Sequence, residues 1–295
     1  MDQAISYKKN FRIHLYEGGL YLSTHAILYA PIFFPALILK LGGNNITVGA
    51  FPVMVYLAFL LPQVLSPHYV RTRAFRKPIV IFLGLIQRGF ILLLAVVVAL
   101  FGRDYPDVAL FMLIVVFTIN QIISGIGSPA WFDLVVKTTR TMDRGKLMGL
   151  RTSVGALIGL ANGSILTLLL AILSFPFNYS AVILVVFCFQ MASLVLVRRI
   201  IETEESQVEA ALPLTHVYSR IKEIIEQDAT FRRFLLSSAL LTIGLTPVGF
   251  FLSAAMSKFA INESYVGWFT LTIVITQILS GVGLGVLADR YGHRL

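Results

Sequence analysis

The sequence predicts an all-α polytopic membrane protein. Three observations support this: 57% of the 295 residues are hydrophobic, only 13% are charged, and the mean hydropathy is +0.82. A soluble domain carries about 25% charged residues, so a chain this apolar could not bury its surface in water. The apolar runs are near-continuous over about 20 residues or more, which favours membrane-spanning helices over the alternating strands of a membrane barrel.

Eight spans are predicted, and most of their connections are short and contain Gly, Pro or Asn. The spans are 13–40, 46–67, 78–101, 107–131, 149–173, 179–198, 232–257 and 264–288. The connection 199–231 is longer, polar and charge-rich. Its apolar residues recur at helical spacing and are Leu214, Val217, Ile221, Ile224 and Ile225. This pattern predicts an amphipathic helix that lies against the membrane or the bundle.

The basic residues indicate how the spans are oriented. Of the 24 Lys and Arg residues, most fall at one end of the predicted spans, at Lys8, Lys9, Arg12, Arg71, Arg73, Arg76, Lys77, Lys137, Arg140, Arg144, Lys146, Arg151, Arg198, Arg199, Arg220, Lys222, Arg232, Arg233, Arg290 and Arg294. Only Lys40, Arg103 and Lys258 fall at the opposite end, and Arg88 lies inside a span. Because basic loops stay in the cytoplasm, we expect a cytoplasmic N-terminus and a multi-pass protein of the plasma membrane, of the bacterial inner-membrane kind.

The same charge distribution excludes other classes of protein. The net charge of +9 is located in short loops, where it is a topology signal, so we expect a lipid bilayer as partner and no nucleic acid. Cys188 is the only cysteine, which rules out an intramolecular disulfide and a cysteine metal site. The sequence contains no P-loop, HExxH, CxxC or GxSxG motif, and we expect no enzyme activity, cofactor or metal.

Two loops carry a family resemblance. Residues 285–294 read G-x-L-A-D-R-x-G-x-R after a long apolar segment. This pattern is similar to the loop signature of major facilitator superfamily transporters. The loop Asp143–Arg151 is similar to the R-G-x-x-x-G entry of helix 5 in many members of that family. A six-helix segment, a cytoplasmic linker and further spans complete the resemblance.

The resemblance implies a fold of the major facilitator type. Residues 1–198 would form the six-helix N-terminal half, 199–231 the cytoplasmic linker, and 232–295 the first two helices of the C-terminal half. Relative to the family, the sequence looks truncated at its C-terminus. We therefore expect these residues alone to fold poorly and not to transport.

The loop motif at 285–294 is predicted to act as a gate. Asp289 and Arg290 are read as a charge-and-cap device: the aspartate at the helix end can bind backbone N–H groups or a cationic neighbour in one conformation of a carrier and release them in another. Gly285 and Gly292 permit a close approach and a tight turn, and Arg294 completes the motif. The alternative is a plain solvated loop.

Polar residues inside the spans are candidates for a substrate or proton pathway. Glu17, Tyr21 and His25 lie at i, i+4 and i+8 on one face of helix 1, which suits a proton or cation relay. The alternative to a relay is that Glu17 is solvated at the membrane interface and that His25 is a hydrogen-bonded packing residue of the bundle. Arg88 lies near mid-membrane, and Glu17 is its expected partner. A pair of Arg88 and Glu17 would form a substrate site or a proton-linked ion pair. The alternatives are that Arg88 is a structural clamp between helices, or that its side chain extends to the membrane interface.

Asn120 and Gln121 place two amides near mid-membrane on helix 4. Because neighbouring helical residues point about 100° apart, at most one of these amides is expected to face a cavity. The glycines of helix 5, Gly155, Gly159 and Gly163, are predicted to form a close-packing face without a ligand role.

The predicted function is a secondary active transporter that moves a small-molecule solute by alternating access. The family resemblance and Glu17 favour H⁺ as the coupling ion. A non-transporting membrane scaffold or sensor on the same fold is the alternative. An intramembrane enzyme of lipid or glycan chemistry would need a cluster of catalytic acids, and only Glu17 is available for one.

Overall fold

A computed structural model describes residues 3–28, 33–206, 208, 214–245, 276, 279, 280 and 283. The chain divides into two compact units, one formed by Met1–Glu209 with Gln277–Leu295 and the other by Ala210–Thr276. Within the described residues the regular structure is helical and contains no strand. The finer division into two halves and a linker stays a prediction.

The first unit is a bundle of helices, most of them long. They are α1 (Gln3–Ser23), α2 (His25–Leu28), α3 (Phe33–Lys40), α4 (Asn45–Val70), α5 (Lys77–Phe101), α6 (Pro106–Thr138), α7 (Arg144–Ile172) and α8 (Phe177–Val197). Among the described residues, 5 segments are long and apolar enough to cross a membrane: Asn45–Val64, Lys77–Phe101, Pro106–Thr138, Thr141–Ile172 and Phe177–Val197. An all-helical, membrane-embedded protein is therefore confirmed for this part of the chain.

The first predicted span, 13–40, is not one continuous helix. α1 already covers Gln3–Ser23, so the helix starts earlier and ends earlier than hydropathy predicts. At the break, the backbone N–H and the hydroxyl of Thr24 donate to the carbonyl of Tyr21, at 3.2 and 2.7 Å. A threonine hydroxyl can compete with the backbone for a nearby carbonyl, and here it accompanies a tighter turn that ends α1.

α6 and α7 extend further than hydropathy predicts. α6 continues to Thr138 rather than to 131, and α7 begins at Arg144 rather than at 149. The added turns contain charged residues, namely Asp133, Lys137, Arg144 and Lys146. Charged residues lower the hydropathy of a segment but leave its backbone hydrogen bonds intact. The helices therefore continue beyond the ends of the apolar segments.

The helices of the first unit pack around two apolar clusters. α6 packs against α4 and α5, whereas α1 packs against α7 and α8. The larger cluster includes Phe34, Leu37, Leu94, Phe117 and Ile183. The smaller cluster, near the end of the bundle where most basic residues lie, includes Ile79, Leu134, Leu194 and Val197. Helices in lipid are held by such van der Waals packing and by interhelical hydrogen bonds.

The glycine face of α7 packs closely only in part. A Cβ at Gly155 would lie 2.7 Å from the Cβ of Leu22, so this glycine allows α1 and α7 to approach. Gly159 is buried. At Gly163 a Cβ would meet nothing within 4 Å, so the prediction of close packing is wrong at this position.

The second unit contains α9 (Leu214–Gln227) and α10 (Ala229–Leu245), which contact each other. α9 forms where the sequence predicts an amphipathic helix. Asp228 caps α10, because its Oδ1 accepts hydrogen bonds from the backbone N–H groups of Thr230 and Phe231, both at 2.9 Å. α10 covers the first part of the predicted span 232–257, whereas the rest of that span and most of 264–288 lie outside the described residues.

Candidate functional site

A buried ion pair joins α1 to α7. Oε2 of Glu17 lies 3.2 Å from Nη2 of Arg151, and the two side chains are only 5% and 4% exposed. Arg151 is predicted at the start of the span 149–173, with the basic residues of the cytoplasmic end. It lies deeper than this, because α7 begins at Arg144 and carries Arg151 about two turns into the bundle.

The contacts around Glu17 depend on a glycine beside it. A Cβ at Gly18 would lie 2.0 Å from Nε of Arg151, so a side chain here would displace the guanidinium. On the other side, the hydroxyl of Ser193 in α8 donates to Oε1 of Glu17 at 3.4 Å. The carboxylate is therefore held between α7 and α8, and Gly18 leaves the space that the ion pair needs.

Arg88 of α5 is buried, but its contacts differ from the expected ones. Its Nε donates to the carbonyl of Gln190 at 3.2 Å, and its Nη1 donates to Oε1 of Gln87 at 2.6 Å and to the carbonyl of Gly84 at 3.3 Å. Its guanidinium also lies 5.4 Å from the ring centroid of Tyr21. Arg88 does not form the expected direct ion pair with Glu17, whose carboxylate pairs with Arg151 instead, although Arg88 lies close enough for its charge to interact with that of Glu17.

Glu17, Tyr21 and His25 line one cavity, although α1 ends before the third of them. The rings of Tyr21 and His25 meet edge to face with centroids 5.2 Å apart. The hydroxyl of Tyr21 accepts a hydrogen bond from Nε2 of Gln87 at 3.4 Å. The predicted stripe is therefore continuous in space across the helix break.

The cavity has a volume of about 530 Å³, within the range of roughly 300–1,000 Å³ that is common for small-molecule sites. Its charged lining is Glu17, Arg88 and Arg151. The rest of its lining is mostly apolar or aromatic and includes Tyr56, Phe59, Leu83, Trp131 and Phe132. Arg88 lies 11 residues after the start of α5 at Lys77, so the cavity reaches about 16 Å into the bundle.

The two neighbouring amides of α6 have different surroundings. Gln121 lines the cavity. Asn120 is buried, and its Nδ2 donates to the carbonyl of Gln87 at 2.7 Å. This bond fixes α6 against α5 beside Arg88, so Asn120 supports the wall of the cavity.

The predicted gate lies outside the described residues. This applies to the whole motif, namely Gly285, Asp289, Arg290, Gly292 and Arg294. Its role stays a prediction.

Two buried amides near the break of α1 are not among the predicted site residues. Nδ2 of Asn162 donates to the hydroxyl of Ser23 at 3.1 Å, and Nε2 of Gln190 donates to the hydroxyl of Thr24 at 3.2 Å. These bonds connect α7 and α8 to the two residues where the helix is interrupted. No sequence signal identified them, because polar residues on separate spans show their partners only once the bundle has formed.

A second set of charged contacts lies at the basic end of the bundle. Glu202, which follows α8, accepts hydrogen bonds from the backbone N–H groups of Arg76 and Lys77, both at 2.8 Å. Its Oε1 also lies 2.8 Å from Nζ of Lys137, and the Arg76 side chain contacts Asp133. These contacts tie together the loop before α5, the end of α6 and the segment after α8.

The fold and the site together define a helical membrane protein with a cavity that contains buried charges. No known protein-family model matches the chain, and no curated protein matches it. Within the described residues there is no cluster of His, Cys, Asp or Glu side chains that could hold a metal ion.

Proposed function

We propose that this protein is a secondary active transporter, which moves a small solute across the membrane by alternating access with H⁺ as the coupling ion. The observation that carries the proposal is the cavity of about 530 Å³ in which Glu17, Arg88 and Arg151 meet. Charged side chains at membrane depth are costly, face the interior of a bundle or a wet cavity, and mark substrate or ion pathways.

The proposed arrangement is that of the major facilitator superfamily, in the bacterial inner membrane. The loop pattern at 285–294 and the linker between two sets of spans support this arrangement. The excess of Lys and Arg at one end supports a cytoplasmic N-terminus.

Glu17 is the proposed proton carrier, because it is the one carboxylate among the described residues that line the cavity. In its charged form it attracts Arg151, whose Nη2 lies 3.2 Å away. Protonation neutralises the carboxylate and removes most of this attraction. Arg151 can then contact a solute, so that proton binding and solute binding become linked.

Flux in proteoliposomes tests the proposal. With the full-length protein, an imposed proton gradient is expected to drive accumulation of one of a panel of radiolabelled carboxylates, sugars, amino acids and organic cations. Addition of that solute is expected to move protons, measured with an entrapped pH-sensitive dye. Glu17→Gln is expected to abolish the proton movement but to retain solute exchange, because an amide cannot carry the proton.

The exposed Glu205→Gln variant is the matched control and is expected to transport like the wild type. If the folded wild-type protein moves no member of the panel, the scaffold or sensor is supported and the transporter proposal fails. If Glu17→Gln still couples protons to solute, Glu17 is not the proton carrier.

Cysteine labelling tests the proposed orientation. In a Cys188→Ser background, Ile46→Cys and Met142→Cys place single thiols at positions that are 80% and 89% exposed. In intact cells, a membrane-impermeant maleimide is expected to label position 46, whereas position 142 is labelled only after permeabilisation. The reverse pattern would place the basic loops outside and contradict the cytoplasmic N-terminus.

A further inference from the structure

We propose that the cavity binds a small organic anion, namely a carboxylate carried on an apolar or aromatic body. This inference rests on the proposed function, since it assigns a substrate class to the same cavity. The residues that line the cavity include two guanidinium groups, those of Arg88 and Arg151, but only one carboxylate, that of Glu17. These three side chains therefore leave an excess of one positive charge in the described lining.

The sign of this charge selects the solute. A buried charge without a counterion is destabilising in a low-dielectric interior. A solute carboxylate would supply the second negative charge that the lining lacks. A cationic solute would instead add repulsion to two guanidinium groups in a place where solvent screening is weak.

Arg151 has a hydrogen-bond donor available for such a ligand. Its Nη1 is buried and has no hydrogen-bond partner among the described residues, whereas its Nη2 faces Glu17. The guanidinium lies 4.3 Å from the ring centroid of Trp131, which restrains its plane. A planar guanidinium presents its N–H groups in a fork that matches a carboxylate.

Arg88 supplies the second positive charge, and among the described residues it forms no direct ion pair with a carboxylate. Its hydrogen bonds go to neutral acceptors, namely the carbonyls of Gly84 and Gln190 and the side-chain oxygen of Gln87. These bonds orient the guanidinium but leave its charge in place. Arg88 therefore adds to the positive potential at the cavity.

The other lining residues favour an apolar body over a hydroxyl-rich one. Most of the uncharged lining is apolar or aromatic, and its polar side chains include Gln87, Gln121, Ser124 and Ser128. Each hydroxyl of a sugar would need a hydrogen-bond partner after its transfer from water, and the apolar part of the lining offers none. An aromatic or aliphatic acid needs polar contacts at its carboxylate only, and its remaining surface matches the walls.

Ligand-dependent thermal unfolding of the full-length protein in detergent tests the inference. The probes are benzoate, phenylacetate and indole-3-acetate, each compared with its primary amide and with an amine of the same carbon skeleton. At least one carboxylate is expected to raise the unfolding midpoint. Its amide is expected to bind roughly ten-fold more weakly or worse, because the charge-assisted hydrogen bonds are lost, and the amine is expected not to bind.

Two variants distinguish an effect of charge on ligand binding from a general loss of folding. For each variant, the unfolding midpoint with ligand is compared with the midpoint of the same variant without ligand. Arg88→Gln is expected to weaken carboxylate binding about ten-fold. Glu17→Gln is expected to strengthen it, because it removes the carboxylate that competes for Arg151. A gain of binding cannot result from misfolding. Glu205→Gln, at an exposed position, is expected to bind like the wild type.

The inference is overturned if no carboxylate binds the wild type, if an amide or amine binds as well as its acid, or if Arg88→Gln leaves carboxylate binding unchanged. Carboxylate binding without flux in proteoliposomes would support the anion site and contradict transport. Flux of a neutral solute that is unaffected by Arg88→Gln would support transport and contradict the anion site.

Discussion

Replacing Glu17 with alanine is expected to lower the free energy of unfolding by about 3–5 kcal/mol, the range for breaking a buried ion pair by removing one partner. The loss comes mainly from Arg151, which is 4% exposed and would remain inside the bundle without its counterion. Unfolding of the full-length protein by SDS in mixed micelles, followed by circular dichroism, measures the change. Glu205→Ala, at an exposed position, is expected to change the free energy of unfolding by less than about 0.5 kcal/mol.

A double-mutant cycle separates the interaction energy between Glu17 and Arg151 from the effects of removing each side chain alone. Arg151→Ala alone leaves the buried carboxylate of Glu17 without its partner and is expected to be destabilising as well. The double variant is expected to lose less stability than the sum of the two single variants, by at least about 1 kcal/mol, because it leaves no isolated charge behind. Additive effects, or a Glu17→Ala effect as small as that of Glu205→Ala, would show that the ion pair does not hold α1 to α7.

Gly125→Ala is expected to lower the free energy of unfolding by roughly 2–3 kcal/mol, the upper part of the usual range for overpacking. A Cβ at Gly125 would lie 2.2 Å from the backbone carbonyl oxygen of Phe59, so the added methyl meets the main chain of α4. A main-chain atom cannot rotate away as a side chain can, and α4 and α6 would have to separate. The same unfolding assay measures the loss.

Gly89→Ala is the matched control, because a Cβ at Gly89 would meet nothing within 4 Å. Alanine is a better helix former than glycine, so this variant is expected to gain up to about 1 kcal/mol. Gly125→Ala should also reduce flux, since Phe59 and Ser124 line the cavity next to this contact. If both variants have the same stability, α4 and α6 do not approach each other at Gly125.

The positions of the spans could be predicted well from hydropathy. α5 begins one residue before its predicted start and ends as predicted, and α8 differs from its prediction by two residues at its start and one at its end. The prediction was poorer where charged residues continue a helix, as at the end of α6. It also failed at Thr24, where a local hydrogen bond ends α1 inside an apolar stretch.

The candidate site could be predicted only in part. Glu17, Tyr21 and His25 stand out because polar residues at helical spacing are unusual in a span, and all three line the cavity. Arg151 was overlooked because its neighbours Arg144 and Lys146 belong to a basic loop, and a count of charges does not show how deep each one lies. The chain order gave no sign that Arg151 rather than Arg88 would reach Glu17.

Glu202 illustrates the same limit at the basic end. In the sequence it is one of several acids in a polar connection, and nothing marks it as different from Glu205. In the structure its side chain is 3% exposed and bonded to Lys137 and to the backbone of the loop before α5.

The sequence by itself determined that the chain is helical and embedded in a membrane. In lipid, every long apolar segment must satisfy its own backbone hydrogen bonds, so hydropathy translates directly into helices. The partners of the buried charges were decided only by the tertiary structure. Glu17 and Arg151 are 134 positions apart in the chain, and their contact depends on the missing side chain of Gly18 and on the packing of α1 against α7.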